Sequence, residues 1–245
     1  MFPLCPSSIL TGPEKSPRWG LALFIDLGTP DSTLAISREN RLPRASVVVT
    51  LAAQELMRLS KGGEKVENIV VRGSEIDPTL HPGFKEITEN LRELRNKWFP
   101  RAKLCLESDE PHLETREARL GVAAYDRPVI RLESGTAKTF ARQTGRKSSQ
   151  LGEIVHHLTH IERVIIRAHF VRGEVDNSTP NEVKGWIKRL RDVRPNEVQI
   201  SSPNPRGGRN LPRGVTKTRL REIVEEVSDT VGATVTLLDP ADEPA

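Results

Sequence analysis

Two rhythms of apolar and polar positions alternate along this chain. Short, nearly continuous apolar runs recur at 21–27, 66–72, 102–107, 127–133, 163–171, 197–201 and 234–238. Several are unbroken, as in Val164-Ile165-Ile166, the pattern of strands buried on both faces rather than strands with one wet face. Between these runs lie segments whose apolar residues return every three or four positions. In 84–98 the residues Phe84, Ile87, Leu91 and Leu94 form one such stripe, so the spacing predicts a helix that packs one face against a core. Helices are predicted in the same way over 47–60, 111–120, 137–143, 150–161, 181–191 and 217–231.

The ends of these segments carry their own signals. The first helix stops at Lys61-Gly62-Gly63, the second opens after Pro82-Gly83 and is followed by Pro100, and Thr179-Pro180-Asn181-Glu182 reads as a capped start with proline and an acid in the first turn. Six or seven strand–helix units in succession predict an α/β fold with a parallel sheet, either doubly wound or curled into a barrel. No Gly/Ser-rich linker divides it, so one domain is expected over 19–238. The segment 1–18 holds four prolines and no clear period, and 239–245 is short, acidic and proline-containing. Both are expected to be flexible.

Composition narrows the functional classes. The 245 residues, 36% of them hydrophobic, suffice for a substantial core. No apolar run approaches the roughly 20 residues a membrane-spanning helix needs, and the N-terminus lacks the basic and apolar regions of an export signal, so a cytoplasmic protein without a membrane partner is expected. Lys and Arg number 37 against 33 Asp and Glu, a net charge of +4 and a pI near 9.2. Arginines cluster at Arg189–Arg194 and in Arg206-Gly207-Gly208-Arg209, where planar guanidinium groups suit phosphate or carboxylate partners or simply cover a helix face by ion pairing. The two cysteines, Cys5 and Cys105, are too few for a disulfide framework or a four-sulfur metal site. Cys105 lies in an apolar run and reads as a buried strand residue.

Several loops carry a more specific signal. The passages Gly20–Pro30 (GLALFIDLGTP) and Val70–Pro82 (VVRGSEIDPTLHP) each lead from a strand into a loop, and the second ends in Pro78-Thr79-Leu80-His81-Pro82. Leu132-Glu133-Ser134-Gly135 is followed by Thr139-Phe140, Phe170-Val171-Arg172-Gly173 follows the fifth strand, and Val198-Gln199-Ile200 precedes the Pro/Arg-rich stretch 203–209. In this order they resemble radical SAM proteins of the group related to wyosine-base formation and molybdenum-cofactor enzymes, whose corresponding passages read SGEPTLHP, SLDAG…TF, FLVKG and VQLNT…RPP. The resemblance spans 12–238 and implies a partial (β/α)6-like TIM barrel of the radical SAM type.

It also implies an iron-sulfur loop that this chain lacks. In the family a CxxxCxxC loop after the first strand holds a [4Fe-4S] cluster through thiolates. Anchored on Asp26-Leu27 and Thr33, those positions fall at Leu34, Arg38 and Arg41, none of which can donate a thiolate. The cluster is therefore not expected, a metal is not expected elsewhere, and the arginines favour an anion. The family's two glycines and glutamate after the second strand, which approach the amino group of SAM, correspond here to Gly73 and Glu75 or, in another register, to Ile76 and Asp77. SAM stays a candidate ligand through the resemblance alone.

The expected ligand site lies at the C-terminal ends of the strands, as in other barrels, near Arg38, Arg41, Gly73, Ser74, Glu75, Asp77, Glu133 and Arg167. Glu75 and Asp77 read equally as ligand contacts or as capping and solvated acids. Glu133 and Arg131, two apart on a strand, share a side and read either as an ion pair filling vacated space or as binding groups; Arg167 has the same two readings. His156, His157 and His160 have one-turn spacing but no accompanying catalytic glutamate, so they read as surface residues rather than zinc ligands. His81 reads as loop packing. Neither Lys61-Gly62-Gly63 nor Arg206-Gly207-Gly208-Arg209 has the arrangement of a phosphate loop. No catalytic residue is identified. The expectation is a pseudoenzyme or binder of a small anionic or zwitterionic ligand, with an RNA- or protein-interaction module, or a non-radical enzyme on the same barrel, as alternatives.

Overall fold

The computed structural model describes residues 9–28, 42–203 and 213–239. The chain divides into two compact units, Met1–Pro128 and Val129–Ala245, where the sequence carried no linker. A division without a linker follows when one strand–helix series continues unbroken while the contacts on each side of the junction are mostly local.

The first unit carries β1 (Leu10–Ser16), β2 (Gly20–Asp26), β3 (Asn68–Arg72) and β4 (Lys103–Ser108), neighbours in that order. β2, β3 and β4 are parallel, with Ala22 opposite Asn68 and Asn68 opposite Lys103. Alternation puts Leu23, Ile25, Ile69, Val71, Leu104 and Leu106 on one face, all fully buried, and Phe24, Asp26, Val70, Arg72 and Cys105 on the other. The helices α1 (Ala45–Lys61), α2 (Phe84–Trp98) and α3 (Arg116–Ala123) pack in series, α1 on α2 and α2 on α3. The apolar stripe of α2 is buried at Phe84, Ile87 and Leu91, and Phe84 stacks on Tyr125 with ring centroids 6.0 Å apart.

Two elements here depart from expectation. Residues 10–16, expected to be flexible, form β1, antiparallel to β2 from Leu10 opposite Ile25 to Ser16 opposite Gly20. Their mostly exposed, polar sequence has little strand propensity of its own, and the ladder offered by β2 orders it. The third helix begins at Arg116 rather than 111, because the Thr115 hydroxyl accepts the Ala118 amide at 3.1 Å and caps it there.

The second unit holds a parallel run of β5 (Arg127–Arg131, all but its first two residues in this unit), β6 (Ile165–His169), β8 (Glu197–Ser201) and β10 (Thr234–Leu237), in that order, and a separate antiparallel pair, β7 (Val171–Arg172) with β9 (Arg213–Gly214). The helices are α4 (Ala137–Thr144), α5 (Gln150–Leu158), α6 (Pro180–Val193) and α7 (Lys217–Val231). α4, α6 and α7 start on threonines whose hydroxyls accept amide protons in the first turn. Trp186 of α6 donates its indole N–H to the Leu132 carbonyl at 2.7 Å and meets Phe170 edge-on at 5.1 Å, fixing α6 to the ends of β5 and β6.

Candidate functional site

At the C-terminal ends of β2 and β3 the polar groups close on one another. Asp26, 6% exposed, accepts hydrogen bonds from the amides of Gly28 at 2.9 Å and Ser74 at 3.2 Å and from the Ser74 hydroxyl. The carbonyl of Ile76 folds back over Gly28 and Gly73, filling the space where a β-carbon on either would stand. These glycines therefore admit the protein's own backbone. The resemblance assigned clearance of this kind at Gly73 to the amino end of SAM; in this chain the Ile76 carbonyl stands beside it.

Asp77 is engaged just as fully. It caps a single 3-10 turn (Pro78–Leu80), accepting from the Thr79 amide at 2.9 Å and the Thr79 hydroxyl, and it also accepts from the Ser108 hydroxyl at 2.8 Å and the Glu110 amide at 2.9 Å. Of the two readings of this acid, the structure realises the capping geometry. Ser74 and Glu75 are exposed. His81 is packed, its Nε2 2.8 Å from the Pro43 carbonyl and its Nδ1 accepting the Gly83 amide at 3.0 Å, which makes Nε2 the protonated nitrogen. Burial lowers its pKa, outweighing the Pro43 carbonyl and the charge of Glu86.

The second unit concentrates charge on one face of its strands. Arg131 lies opposite Arg167, Arg167 opposite Gln199, and Gln199 opposite Thr236. One pleat further along, Glu133 follows Arg131, and His169 lies opposite Ser201. The other face carries Ile130, Leu132, Ile166, Ala168, Val198 and Ile200, all buried. Arg131 holds Glu133 through two hydrogen bonds, 2.8 Å from Nε and 3.1 Å from Nη2. Glu133 also accepts the His169 amide at 3.0 Å and the Gln143 side chain at 3.4 Å, while His169 Nδ1 is 3.0 Å from the Ser201 hydroxyl. Arg167 is buried among these groups.

Two side chains brace this cluster. Asn177, 1% exposed, donates to the carbonyls of Glu133 at 3.1 Å and His169 at 3.0 Å and accepts the Val171 amide at 2.8 Å, tying the ends of β5 and β6 together. Glu182, on α6, accepts from the amides of Gly135 and Thr136, each at 3.0 Å, and from the hydroxyls of Thr136 at 2.6 Å and Thr139 at 2.8 Å. The Leu132-Glu133-Ser134-Gly135 passage thus owes its course to a carboxylate placed at the start of α4.

Among the anticipated residues, Gly73, Ser74 and Asp77 come together in the first unit with Glu75 beside them, and Glu133 and Arg167 in the second. Arg38, Arg41 and the 206–209 loop lie outside the described residues. The sequence reading missed Asp26, His169, Ser201, Gln143, Asn177 and Glu182. Arg167-Ala168-His169, polar at every second position of a buried strand, was the legible trace of the inner face. The others are contributed singly by distant segments.

Nor does the donor set fit a three-thiolate cluster. The sequence has two cysteines, Cys5 and Cys105, and Cys105 is buried in β4 with its thiol pushed up to about 12 by desolvation. It donates to Asn68 Oδ1 at 3.3 Å. Among the described residues no group of three His, Cys, Asp or Glu side chains is arranged to hold a metal, and no helix is long and apolar enough to cross a membrane.

No protein-family model and no curated protein matches this chain. Solved structures do. SuiB from Streptococcus suis is similar with a TM-score of 0.56 and 13% identity over 77% of this chain and 42% of that one. SuiB bound to S-adenosylmethionine gives 0.57 and 14% over 83% and 45%, and SuiB bound to its precursor peptide SuiA gives 0.57 and 14% over 84% and 44%. A domain of a pyruvate-formate lyase-activating enzyme from Bacteroides vulgatus ATCC 8482 gives 0.50 and 15% over 69% and 97%. The chain spans less than half the length of SuiB. At such identities the likeness concerns the fold alone: α/β, with a parallel sheet of the partial-barrel type.

Proposed function

We propose that this chain uses the radical SAM scaffold without radical chemistry, as a cytoplasmic binder of a small anionic or zwitterionic ligand at the C-terminal ends of β5, β6 and β8. The observation that carries this reading is the thiol inventory. Reductive cleavage of SAM needs a cluster to deliver an electron, and the loop after β2 offers no thiolate to hold one.

The polar face supports the ligand class. Arg131 and Glu133 form a bidentate pair on a partly exposed rim. A zwitterion presents the same two charges in complementary order, so it can exchange for that contact without leaving a charge unpaired. Arg131 would meet the ligand's carboxylate and Glu133 its ammonium, with Asn177 holding the two strand ends in place. Of the anticipated ligand contacts, Glu133 and Arg167 belong to this face.

The test is anaerobic iron-sulfide reconstitution with iron quantified in the same sample, followed by calorimetric titration with SAM and with simple amino acids. Iron below one equivalent, and a saturable zwitterion response that falls at least tenfold in Arg131→Ala, is the expected result. Roughly four irons per chain with SAM binding would overturn it.

A second reading follows from the neighbour that binds a peptide: the same face would take a peptide partner rather than a free small molecule. Retention of an unstructured peptide but not of amino acids by the purified chain distinguishes the two. RNA binding, suggested by the basic balance, would instead appear as affinity that falls steeply with salt.

A further inference from the structure

A cavity of about 300 Å³ lies at the C-terminal ends of β8 and β10, beside the first turns of α7, and its lining shares no residue with the charged face of β5, β6 and β8. Its walls are mainly apolar: Val215, Leu220, Leu237 and Leu238. Leu237 is 48% exposed, the most of any large apolar side chain among the described residues. Lys217 and Arg221 stand on the same lining, one helical turn apart and therefore on one side of α7. Both are exposed. The nearby acids Glu222 and Glu226 are held by Arg219, at 3.0 and 3.2 Å, and neither Lys217 nor Arg221 has an acidic partner among the described residues. Asp239 also lines the cavity, so its described lining carries two cations and one anion.

We infer that this cavity is a binding site for a small amphiphilic carboxylate, its aliphatic body against the leucines and its head group between Lys217 and Arg221. The volume is at the lower end of the range for small-molecule pockets, which suits a medium-chain acid. Apolar walls alone would accept a neutral hydrocarbon equally well. Two cations with no acidic partner among the described residues select for negative charge, because an incoming carboxylate gains a charge-assisted contact that an alcohol of the same length does not.

The experiment is calorimetric titration of the full chain with octanoate, octan-1-ol and octylammonium. Octanoate is expected to bind saturably at one site, at least tenfold tighter than the alcohol, with no saturable response to octylammonium. Lys217→Glu combined with Arg221→Glu should remove at least tenfold of the octanoate affinity and leave alcohol binding unchanged, whereas Leu237→Gln should weaken both. Circular dichroism and melting of each variant report its fold; if the double charge reversal unfolds the chain, Lys217→Gln with Arg221→Gln is measured in its place and should show the same selectivity loss. Equal affinity for octanoate and octan-1-ol, or octanoate binding indifferent to both charge variants, overturns the assignment, as does the absence of saturable binding. Arg131→Ala should leave octanoate binding unchanged, so failure of this site and of the zwitterion site are separable.

Discussion

The main-chain carbonyl of Glu182 lies where the β-carbon of any residue other than glycine at position 135 would stand, while the carboxylate of the same glutamate accepts the Gly135 amide at 3.0 Å. One residue of α6 therefore requires a bare backbone opposite it and rewards it with a hydrogen bond. The Gly135 carbonyl is likewise close to Gly185, one turn further along α6, and accepts Arg189 Nε at 3.0 Å.

Gly135→Ala should lower stability by about 3 kcal/mol, at the upper end of overpacking, because the clash is with backbone that cannot rotate away. Urea denaturation monitored by circular dichroism measures it. A loss under about 0.5 kcal/mol, the size of an ordinary surface change, would show that α6 is not held against this loop.

Asp77 makes a contrasting prediction. With donors from Thr79, Ser108 and Glu110 all directed at its carboxylate, Asp77→Ala leaves several without an acceptor and should cost about 2 kcal/mol. Binding of small zwitterions by the folded variant should stay within twofold of wild type. A variant that melts normally but binds nothing would make Asp77 a ligand contact after all.

The pH dependence centres on His81. Its native pKa is below the ordinary value of 6.5 because the ring is buried. Below pH 6.5 the unfolded chain takes up a proton that the native ring refuses, so stability is fully present above that pH and is lost as pH falls toward the native pKa. The slope in that window can reach about 1.4 kcal/mol per pH unit. Denaturation of wild type and His81→Gln between pH 4.5 and 8, both pH values being experimental settings chosen about the unperturbed value, should give curves whose difference is flat above neutrality and shrinks below it. A constant difference throughout would remove His81 as the source.

Cys105 should be unreactive in the native protein. With its thiol pushed up to about 12, the thiolate is a minute fraction at pH 8, and thiolate is the species that alkylates. In a Cys5→Ser background, iodoacetamide should label nothing over an hour in native buffer and one thiol per chain in guanidinium. Rapid native labelling would mean that β4 opens far more readily than its packing indicates.

The parallel strands and the helices were legible because their signals are local. Val164-Ile165-Ile166 reads as a buried run, and Thr179, followed by a proline and an acid, marks a helix start. β1 was not legible, because Leu10–Ser16 becomes a strand only when β2 supplies hydrogen-bonding partners. Half of the polar face was similarly hidden. Arg131 and Glu133 sit two apart and announce their pairing, but Ser201 meets His169 from 32 positions away, and Asn177 joins two strand ends across 44 positions and 8. Nothing in the immediate neighbourhood of an asparagine distinguishes a brace from a loop residue.

That brace sets the chain's durability as well as its shape. Asn177 precedes Ser178, a small-residue context in which asparagine deamidates once it is free to cyclise through the following amide. In the native state the side chain is locked by three hydrogen bonds and shielded from water. Each excursion to the unfolded state exposes it, and the aspartate that forms would direct an oxygen, in place of an NH₂, at two carbonyls. Attraction becomes repulsion at the junction of β5 and β6. The molecule therefore carries a chemical record of how long it has spent unfolded, and in stored or heated samples the fraction that no longer refolds should rise in step with mass gain at this single position.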